Sequence, residues 1–590
     1  MKNIFLKYLT RALILTLFPT TLFAQPIIWE KVVDDNELDL RREIKWEPIN
    51  TSNDEEYRID KYKNILSNSN GKQLDNNLLN LGLTVPTANI TKEKELILYV
   101  DQVFPYKKGE EGGTGNQNYS GFASYGLKEN LMLSLFFSHS DDPLHEKINN
   151  LSSHPENLWF SYGGSLRWKL IDKKNLKFGI DNSIESWIVK SGGCNGHGCI
   201  GSSSNIFNSG LKAVRNENLV GSISAPLTWR VIENVDFTVS PKITFLPKEQ
   251  GNVYGYGEFY GTNTGIGMGV SYKPNLRFNT FNSIYLPFSG KNNFDNKLSF
   301  NKAFIYTSGF NFALDPRTAF EGYITNRFGS SPATSILTIP SKNTLILGSR
   351  FIYRPTALDD SKAKTNNKKI NNFVNGLSIS NSNLIKEGKK FIDFNIDNKG
   401  ATWTTFIQGL SSSFNFEVAY GNTSDAITEN NKYAKTFIEP NNTNIRVGGK
   451  AILLSAGNKR SIHSGVRLSF GRSFGETWPG YLFSEITNSI FVNEKMILNF
   501  NPKAAWTGEG NPLALGTGVV WKLNDNFYLI PEFNSAISDS ESNWTIALRT
   551  IPKKNIYLDF YTTNAFNFTD IGELVKSESQ SIGMKTAILF

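Results

Sequence analysis

The chain has 590 residues, enough for several soluble domains or for one large β-barrel. Hydrophobic residues make up 39% and the mean hydropathy is −0.31. No run of about 18 apolar residues follows the N-terminal segment, which excludes a bundle of membrane-spanning helices. The net charge of +8 would suit nucleic acid, lipid phosphates, an acidic polysaccharide or mere solubility.

The N-terminal 24 residues have the pattern of a secretory signal peptide. Lys2, Lys7 and Arg11 form a positive region, residues 12–18 are apolar, and residues 21–24 make a plausible cleavage site. The apolar stretch is too short to anchor a protein in a membrane. The sequence therefore predicts export, and export removes nucleic acid as a partner.

Residues 25–90 are charged and show little alternation, which predicts a periplasmic arm. A Trp-Glu pair occurs in it twice, at Trp29-Glu30 and at Trp46-Glu47. Flanked by β-branched residues, such a pair could add to the sheet edge of a periplasmic partner protein. The alternative is local packing in a partly disordered arm.

From residue 91 the sequence changes to alternating segments, and we expect barrel strands over residues 91–356 and again over residues 391–590. In Val235–Phe245, apolar Val, Phe and Ile occupy one face and polar residues such as Asp236 and Lys242 the other. A barrel also explains the 13% of aromatic residues in a polar chain, because barrels gather aromatics at both membrane interfaces.

Short polar turns with an asparagine precede several of these strands. They lie at Asn130, Asn175, Asn234, Asn526 and Asn555. Asparagine tolerates the left-handed conformations that tight hairpins need, and short turns are typical of the periplasmic end of a barrel. The spacing of the turns predicts about 20 to 24 strands.

Residues 357–390 are polar, lack alternation and predict a linker or a large loop between two halves of the strand region. Leu-Thr-Val-Pro-Thr at residues 83–87 returns as Leu-Thr-Ile-Pro-Ser at residues 337–341. One large barrel and two packed barrels are both compatible with this arrangement.

The last residues alternate up to a terminal phenylalanine. One face carries Ile582, Met584, Ile588 and Phe590. This strand resembles the closing strand of outer-membrane β-barrel proteins, whose terminal aromatic residue is an assembly signal for the barrel-assembly machinery. The expected fold is therefore an all-β, antiparallel transmembrane barrel in the outer membrane of a diderm bacterium, in contact with its lipids.

The start of the strand region resembles proteins of the YjbH type, an outer-membrane family tied to exopolysaccharide production. The resemblance rests on Gly82-Leu83-Thr84-Val85-Pro86-Thr87-Ala88 and on the later Tyr125-Gly126-Leu127-Lys128-Glu129-Asn130-Leu131. Asn89 stands where the family pattern leads us to expect a basic residue. The resemblance implies a large barrel, single or double, that acts in polysaccharide export or its regulation.

Two loops contain residue types that can carry chemistry. Cys194 and Cys199 flank a glycine-containing spacer with His197, and the oxidising compartment favours a disulfide over a metal site. The acidic and histidine-rich residues 139–146 could serve an outer-membrane hydrolase, although Asp-Asp-Pro is ordinary turn chemistry. No nucleophile elbow, metalloprotease motif or phosphate loop appears, so the sequence predicts neither an enzyme nor a cofactor.

Gly265, Gly267 and Gly269 alternate along one strand, which relieves crowding at a bend or lets a plug segment approach. The candidates for a charged lumen are Asp236, Lys242, Glu417, Arg467, Lys522 and Arg549. We expect such a lumen to select solutes by charge and width. The favoured function is a channel or scaffold for polysaccharide export or for porin-like passage of hydrophilic solutes. The alternative is a plugged barrel that binds a periplasmic partner through residues 25–90.

Overall fold

The computed structural model describes residues 77–105, 118–140, 157–191, 215–248, 260–294, 300–338, 345–355, 375–422, 443–454, 462–474, 480–507, 510–568 and 570–590. The predicted signal peptide, most of the predicted arm with Trp29 and Trp46, and the cysteine pair lie outside these residues. Within the described ranges, no helix is long and apolar enough to cross a membrane.

The described residues are organised as β-strands and two short 3-10 helices. The strands up to residue 353 are β1 (Asn80–Leu81), β2 (Val85–Pro86), β3 (Leu96–Pro105), β4 (Asn118–Lys128), β5 (Leu131–Ser140), β6 (Asn157–Lys173), β7 (Leu176–Ser191), β8 (Arg215–Ser224), β9 (Leu227–Ile232), β10 (Val235–Phe245), β11 (Thr262–Tyr272), β12 (Phe278–Ser289), β13 (Asn293–Phe294), β14 (Phe300–Asn301), β15 (Ile305–Ala313), β16 (Thr318–Thr325) and β17 (Ile346–Tyr353). The later strands are β18 (Lys390–Asp397), β19 (Thr402–Gly409), β20 (Phe414–Asn422), β21 (Thr443–Leu454), β22 (Ile462–Phe474), β23 (Gly480–Asn493), β24 (Met496–Thr507), β25 (Leu513–Lys522), β26 (Phe527–Ser538), β27 (Asn543–Lys553), β28 (Ile556–Ala565) and β29 (Lys576–Leu589). The 3-10 helices are Thr334–Ile336 and Asp570–Leu574.

The strands from β3 to β17 form a first closed barrel. Antiparallel pairing runs from β11 through β12, β15, β16, β17 and β3 to β8, and the β10–β11 pairing closes the circle. β8 and β9 together occupy one position, because each pairs with both β7 and β10. Counting them as one strand, the first barrel has twelve strand positions.

The strands from β18 to β29 form a second closed barrel, also of twelve strands. β29 pairs with β28 on one side and with β18 on the other, so the predicted closing strand does close the circle. Lys390 and Phe590 exchange two backbone hydrogen bonds of 2.8 Å at the end of this seam. The prediction of an all-β, antiparallel fold with 20 to 24 strands is confirmed, and two barrels is the correct alternative.

Both barrels are apolar outside and polar inside. In β10, Ile243 and Phe245 are 41% and 46% exposed on the outer face, while Lys242 and Thr244 are buried inside. In β29 the outer face carries four exposed residues, Ile582, Met584, Ile588 and Phe590. This polarity is the reverse of a soluble barrel, whose outer face must be polar to be hydrated.

The asparagine-containing turns join neighbouring strands at one end of each barrel. The connections at Asn130, Asn175 and Asn234 follow β4, β6 and β9, and Asn555 lies between β27 and β28 with a φ of 72°. In each barrel the first strand starts and the last strand finishes at the end where these turns lie. We call it the turn end of that barrel, and we call the opposite end the loop end.

The two barrels contact each other near their turn ends. The rings of Phe351 and Phe414 stack with their centroids 4.2 Å apart. Beside them, the Ser411 hydroxyl donates to the Asp315 carboxylate at 2.5 Å, and both side chains are buried. One barrel therefore supplies β17 and the β15–β16 turn to this contact, and the other supplies β20 and its preceding turn.

Two parts of the predicted domain organisation differ from the structure. Residues 77–90, assigned from sequence to the periplasmic arm, lie inside the first barrel. Residues 375–385, assigned to the polar linker, lie inside the second barrel. The physical reason is that each segment carries buried leucine, valine or isoleucine side chains that pack against the inner wall of its barrel.

Candidate functional site

The first barrel is filled by residues 77–91, which we call the first plug segment. It contains the β1–β2 hairpin and has five buried apolar side chains, Leu78, Leu81, Leu83, Val85 and Ala88. The surrounding lumen is rich in large buried rings, including Trp159, Trp187, Phe281, Tyr285 and Phe328. Burial of a large apolar side chain contributes about 1.5–3 kcal/mol, so the hydrophobic effect is the main force that holds this plug.

The alternating glycines of β11 make room for this plug. A Cβ built on Gly267 would lie 2.8 Å from Val85 Cγ2, and one built on Gly269 would lie 2.5 Å from Leu81 Cδ1. Both distances are shorter than any normal carbon–carbon contact. The glycine face therefore serves the approach of a plug segment, one of the two uses that the sequence indicated.

We expect Gly269→Ala to destabilise the first barrel by about 1–3 kcal/mol, because the new methyl group overlaps Leu81 and the backbone oxygen of Asn282. Gly518→Ala, at the equivalent position of the second barrel, is the matched control, since its Cβ would lie 3.4 Å from the nearest atoms. Urea unfolding of the two variants in detergent micelles measures the difference. Equal losses of stability would contradict the proposed role of the glycine face.

Polar contacts of the first plug segment come from several wall residues, and Arg167 makes the largest number. The Arg167 guanidinium donates to the backbone oxygens of Leu79 at 2.8 Å and Asn89 at 3.0 Å. Its third contact with the segment is to Asn80 Oδ1 at 2.9 Å. Lys177 donates to Asn89 Oδ1 at 3.0 Å. At its tip, the Thr84 hydroxyl donates to the backbone oxygen of Ser335 at 2.9 Å. Ser335 belongs to residues 327–338, the first inward loop, which enters the lumen from the loop end between β16 and β17.

The second barrel contains the second plug segment, residues 375–385. Gly376-Leu377-Ser378-Ile379 matches Gly82-Leu83-Thr84-Val85 of the first plug segment with a serine for a threonine and an isoleucine for a valine. As in the first barrel, the plug segment packs against glycines of the wall. Ile379 lies 3.3 and 3.4 Å from Cβ positions built on Gly516 and Gly518 of β25. The equivalent of residues 83–87 is thus found here and not at residues 337–341, where Leu337 and Thr338 belong to the first inward loop.

Carboxylates hold the backbone amides of the second plug segment. The Glu532 carboxylate accepts from the backbone N–H groups of Leu377 at 3.0 Å, Ser378 at 2.8 Å and Ile379 at 3.2 Å. Glu485 accepts from the backbone N–H of Ser380 at 3.4 Å. Hydrogen bonds to an ionised acceptor are stronger than neutral ones, at about 1.5–3 kcal/mol each.

Cationic side chains hold the carbonyl groups of the same segment. Lys450 donates to the backbone oxygen of Asn381 at 3.0 Å, and Arg549 to that of Asn375 at 2.6 Å. Lys503 donates to the backbone oxygen of Ser378. The second plug segment is therefore bound by charged wall residues of both signs.

Arg467 is the centre of a buried charge cluster between the second plug segment and the loop that enters this barrel from the loop end. Its guanidinium lies 2.9 Å from Asp570, 3.2 Å from Glu485, 3.3 Å from Glu417 and 3.4 Å from Glu573. Asp570 and Glu573 belong to the second inward loop, residues 566–568 and 570–575, which enters the lumen between β28 and β29. Arg446 and Lys503 each pair with two of the same carboxylates, and Arg467 is the one cation in the described cluster that pairs with all four.

A lysine at the same position of each barrel contacts the inward loop. Lys242 of β10 donates to the backbone oxygen of Pro332 at 2.8 Å and to Ser335 Oγ at 2.9 Å. Lys503 of β24 lies 2.6 Å from Glu573. Lys242 is paired in the sheet with Gly265, and Lys503 with Ala514, which precede the plug-facing glycines by the same spacing. The two barrels thus share one internal plan.

A polar cavity of about 50 Å³ remains in the second barrel beside the plug. Its lining includes Arg446, Arg467, Arg549, Asp393, Glu417 and Tyr557. A space of this size holds a few water molecules, since one water needs about 10–15 Å³.

The six lumen candidates all lie on inner faces but in different settings. Lys242, Glu417, Arg467 and Arg549 are buried, and the last three surround the second plug segment or its charge cluster. Asp236 sits at the turn end, where Arg230 Nε donates to it at 2.9 Å. Lys522 is also at the turn end, and its hydrogen bond of 2.6 Å lowers the pKa of Asp525 in the adjoining turn.

The loop candidates are only partly described. His139 lies on the outer face of β5. The centroid of its imidazole lies 5.0 Å from that of the Tyr119 ring and 4.7 Å from that of the Phe160 ring, so His139 belongs to a cluster of aromatic side chains. Residues 141–146 and the Cys194–Cys199 pair lie outside the described residues, and the disulfide stays a prediction. No cluster of three metal-ligating side chains occurs in the described parts of the chain.

Sequence reasoning missed several residues that hold the second plug segment. Glu485, Glu532, Lys450 and Lys503 each bind its backbone but were not among the candidates. A signal for Lys503 existed, because Pro502-Lys503 in β24 repeats Pro241-Lys242 of β10.

No family model and no curated protein matches the chain. Among solved structures, it is similar to the siderophore receptor PirA from Acinetobacter baumannii at 8% identity, over 85% of this chain and 81% of that one, with a TM-score of 0.22. The NanC porin is 9% identical over 43% of this chain and 98% of its own, with a TM-score of 0.24. The ferric yersiniabactin uptake receptor FyuA from Yersinia pestis is 8% identical over 85% of this chain and 81% of its own, with a TM-score of 0.20. Superpositions this poor carry no argument about function.

Proposed function

We propose that this chain is an outer-membrane protein whose plugged barrels provide a gated path for a hydrophilic solute. The observation that carries the proposal is the combination of an apolar outer wall with an inner wall of paired acidic and basic side chains in the second barrel. Such an outer wall matches lipid, and such an inner wall matches water and polar solutes.

The sequence supports the compartment and suggests the solute. The signal-peptide pattern and the alternating strand β29, which closes the second barrel, favour the outer membrane of a diderm bacterium, with insertion by the barrel-assembly machinery. The resemblance of residues 82–88 to YjbH-type proteins favours a polysaccharide as the solute. The plug segments favour a closed resting state, and release by a periplasmic partner bound to the N-terminal arm is compatible with it.

Single-channel recording of the purified full-length protein in planar lipid bilayers tests the proposal. We expect infrequent, discrete openings, because the plug is bound by hydrogen bonds that water can replace. Folding is checked by the change in gel migration on heating, which a closed barrel shows and an unfolded chain does not. A correctly folded protein that never conducts, in the wild type or in variants with a weakened plug, would contradict a role in passage.

A further inference from the structure

We infer that the second barrel alone is the path for the solute and that the second plug segment, residues 375–385, is its gate, whereas the first barrel is a permanently filled support. This inference rests on the proposed function and goes further, because it assigns different roles to two barrels built on one plan. The difference lies in what each plug leaves behind when it is removed.

Removal of the first plug segment would expose apolar surface. Leu81 and Val85 are 1% exposed, and Phe281 and Tyr285 beside them are completely buried. Water on this side of the first lumen would meet apolar side chains on both the plug and the wall. Charged residues of the same lumen, in contrast, are paired with each other, as in Arg167–Asp181 and Arg350–Glu321. The hydrophobic effect therefore opposes release of the first plug.

Removal of the second plug segment would leave a wall that water can hydrate. Glu532 would exchange three backbone N–H donors for water, and Lys450 and Lys503 would exchange backbone oxygens for water. Ile379 is buried against glycines, and Leu377 and Ile385 are buried in clusters that include tyrosine and phenylalanine rings of the wall. Release of the second plug therefore exposes three buried apolar side chains against five in the first, and most of what holds it is polar and is replaced by water.

The same contrast appears at equivalent wall positions. Gly269 of β11 is paired with Ser283, and the equivalent Gly518 of β25 is paired with Glu532. Two residues earlier in each strand, Gly267 is paired with Tyr285 and Gly516 is paired with Asn534. The first barrel thus has a small hydroxyl and a buried aromatic ring where the second has a carboxylate and an amide. A lumen lined by both signs of charge would pass hydrophilic solutes with weak selectivity for charge.

Two matched disulfide locks test the assignment. Ile379→Cys with Gly516→Cys joins the second plug to its wall, since Ile379 Cγ1 lies 3.3 Å from the Cβ position of residue 516. Val85→Cys with Gly267→Cys does the same in the first barrel, where Val85 Cγ2 lies 2.8 Å from the Cβ position of residue 267. Both are made with Cys194→Ser and Cys199→Ser, so that no other thiol is present. Ile379→Cys with Gly518→Cys is a second lock for the gate if the first variant fails to fold.

We expect the oxidised second-barrel lock to abolish conductance in planar bilayers and a reductant to restore it. The oxidised first-barrel lock should conduct like the unlocked background. Conductance through the locked second barrel, or its loss on locking the first barrel, would overturn the assignment. A background protein that is folded but never conducts, in the reduced locks as well, would instead remove the proposed function on which the assignment rests.

Discussion

Arg467→Ala is expected to lower the free energy of unfolding of the second barrel by about 3–5 kcal/mol, the range for removing one partner of a buried ion pair. Arg467 is 5% exposed and lies 2.9 Å from Asp570 and 3.3 Å from Glu417. It also pairs with Glu485 and Glu573, which the neighbouring Arg446 does not reach with an ion pair of its own among the described contacts. Loss of Arg467 leaves carboxylates from two strands and the inward loop close together in the lumen. Urea unfolding of the protein in detergent micelles, followed by tryptophan fluorescence, measures the effect.

The control for this prediction is Arg230→Ala in the first barrel. Arg230 pairs with Asp236 at 2.9 Å, but its side chain is 37% exposed at the turn end. Exposed ion pairs contribute about 0–1 kcal/mol, so this variant should be nearly as stable as the wild type. Similar stabilities for the two variants would show that the charge cluster around Arg467 does not hold the second inward loop.

Glu532→Gln is expected to raise the ratio of open to closed second barrels by about 5–30-fold, which corresponds to a loss of one or two kcal/mol. The carboxylate accepts from three successive backbone N–H groups, residues 377–379, and from the Ser378 hydroxyl at 2.9 Å. A glutamine keeps the shape but has a single acceptor oxygen, and its NH₂ group would face backbone donors. Open probability in single-channel recordings gives the ratio directly.

The matched control is Ser283→Ala, at the equivalent position of the first barrel. Ser283 donates one hydrogen bond of 2.9 Å to the backbone oxygen of Leu81, so its removal slightly weakens the first plug. We expect no change in open probability, because the first plug is held mainly by apolar packing. An increase with Ser283→Ala, or none with Glu532→Gln, would count against the assignment of the gate.

The outer walls could be predicted from sequence because they obey a period of two. Val235–Phe245 and the last strand place apolar residues on the outer face of the barrel as their alternation indicates, and Lys242 falls on the inner side. The alternating glycines at 265–269 also pointed to a plug. In a paired strand, successive side chains alternate between the two faces of the barrel wall. The local sequence pattern was therefore sufficient to predict which residues lie outside and which lie inside.

The plug segments could not be predicted in the same way. Residues 375–385 are rich in serine and asparagine, which is typical of loops, and their burial depends on Glu485, Glu532 and Lys503 more than a hundred residues away in sequence. Residues 77–90 follow a charged segment and were grouped with it. Burial of a polar segment is decided by partners that only the closed barrel brings together.

The central claim is that passage occurs through the second barrel and requires release of residues 375–385. The most direct test is to add reductant to a bilayer that contains the Ile379→Cys, Gly516→Cys protein in its oxidised form. We predict a silent bilayer before reduction and discrete openings after it, at the conductance of the unlocked protein. Openings of that size before reduction would contradict the claim, because the solute would then pass while the second plug is fixed to its wall.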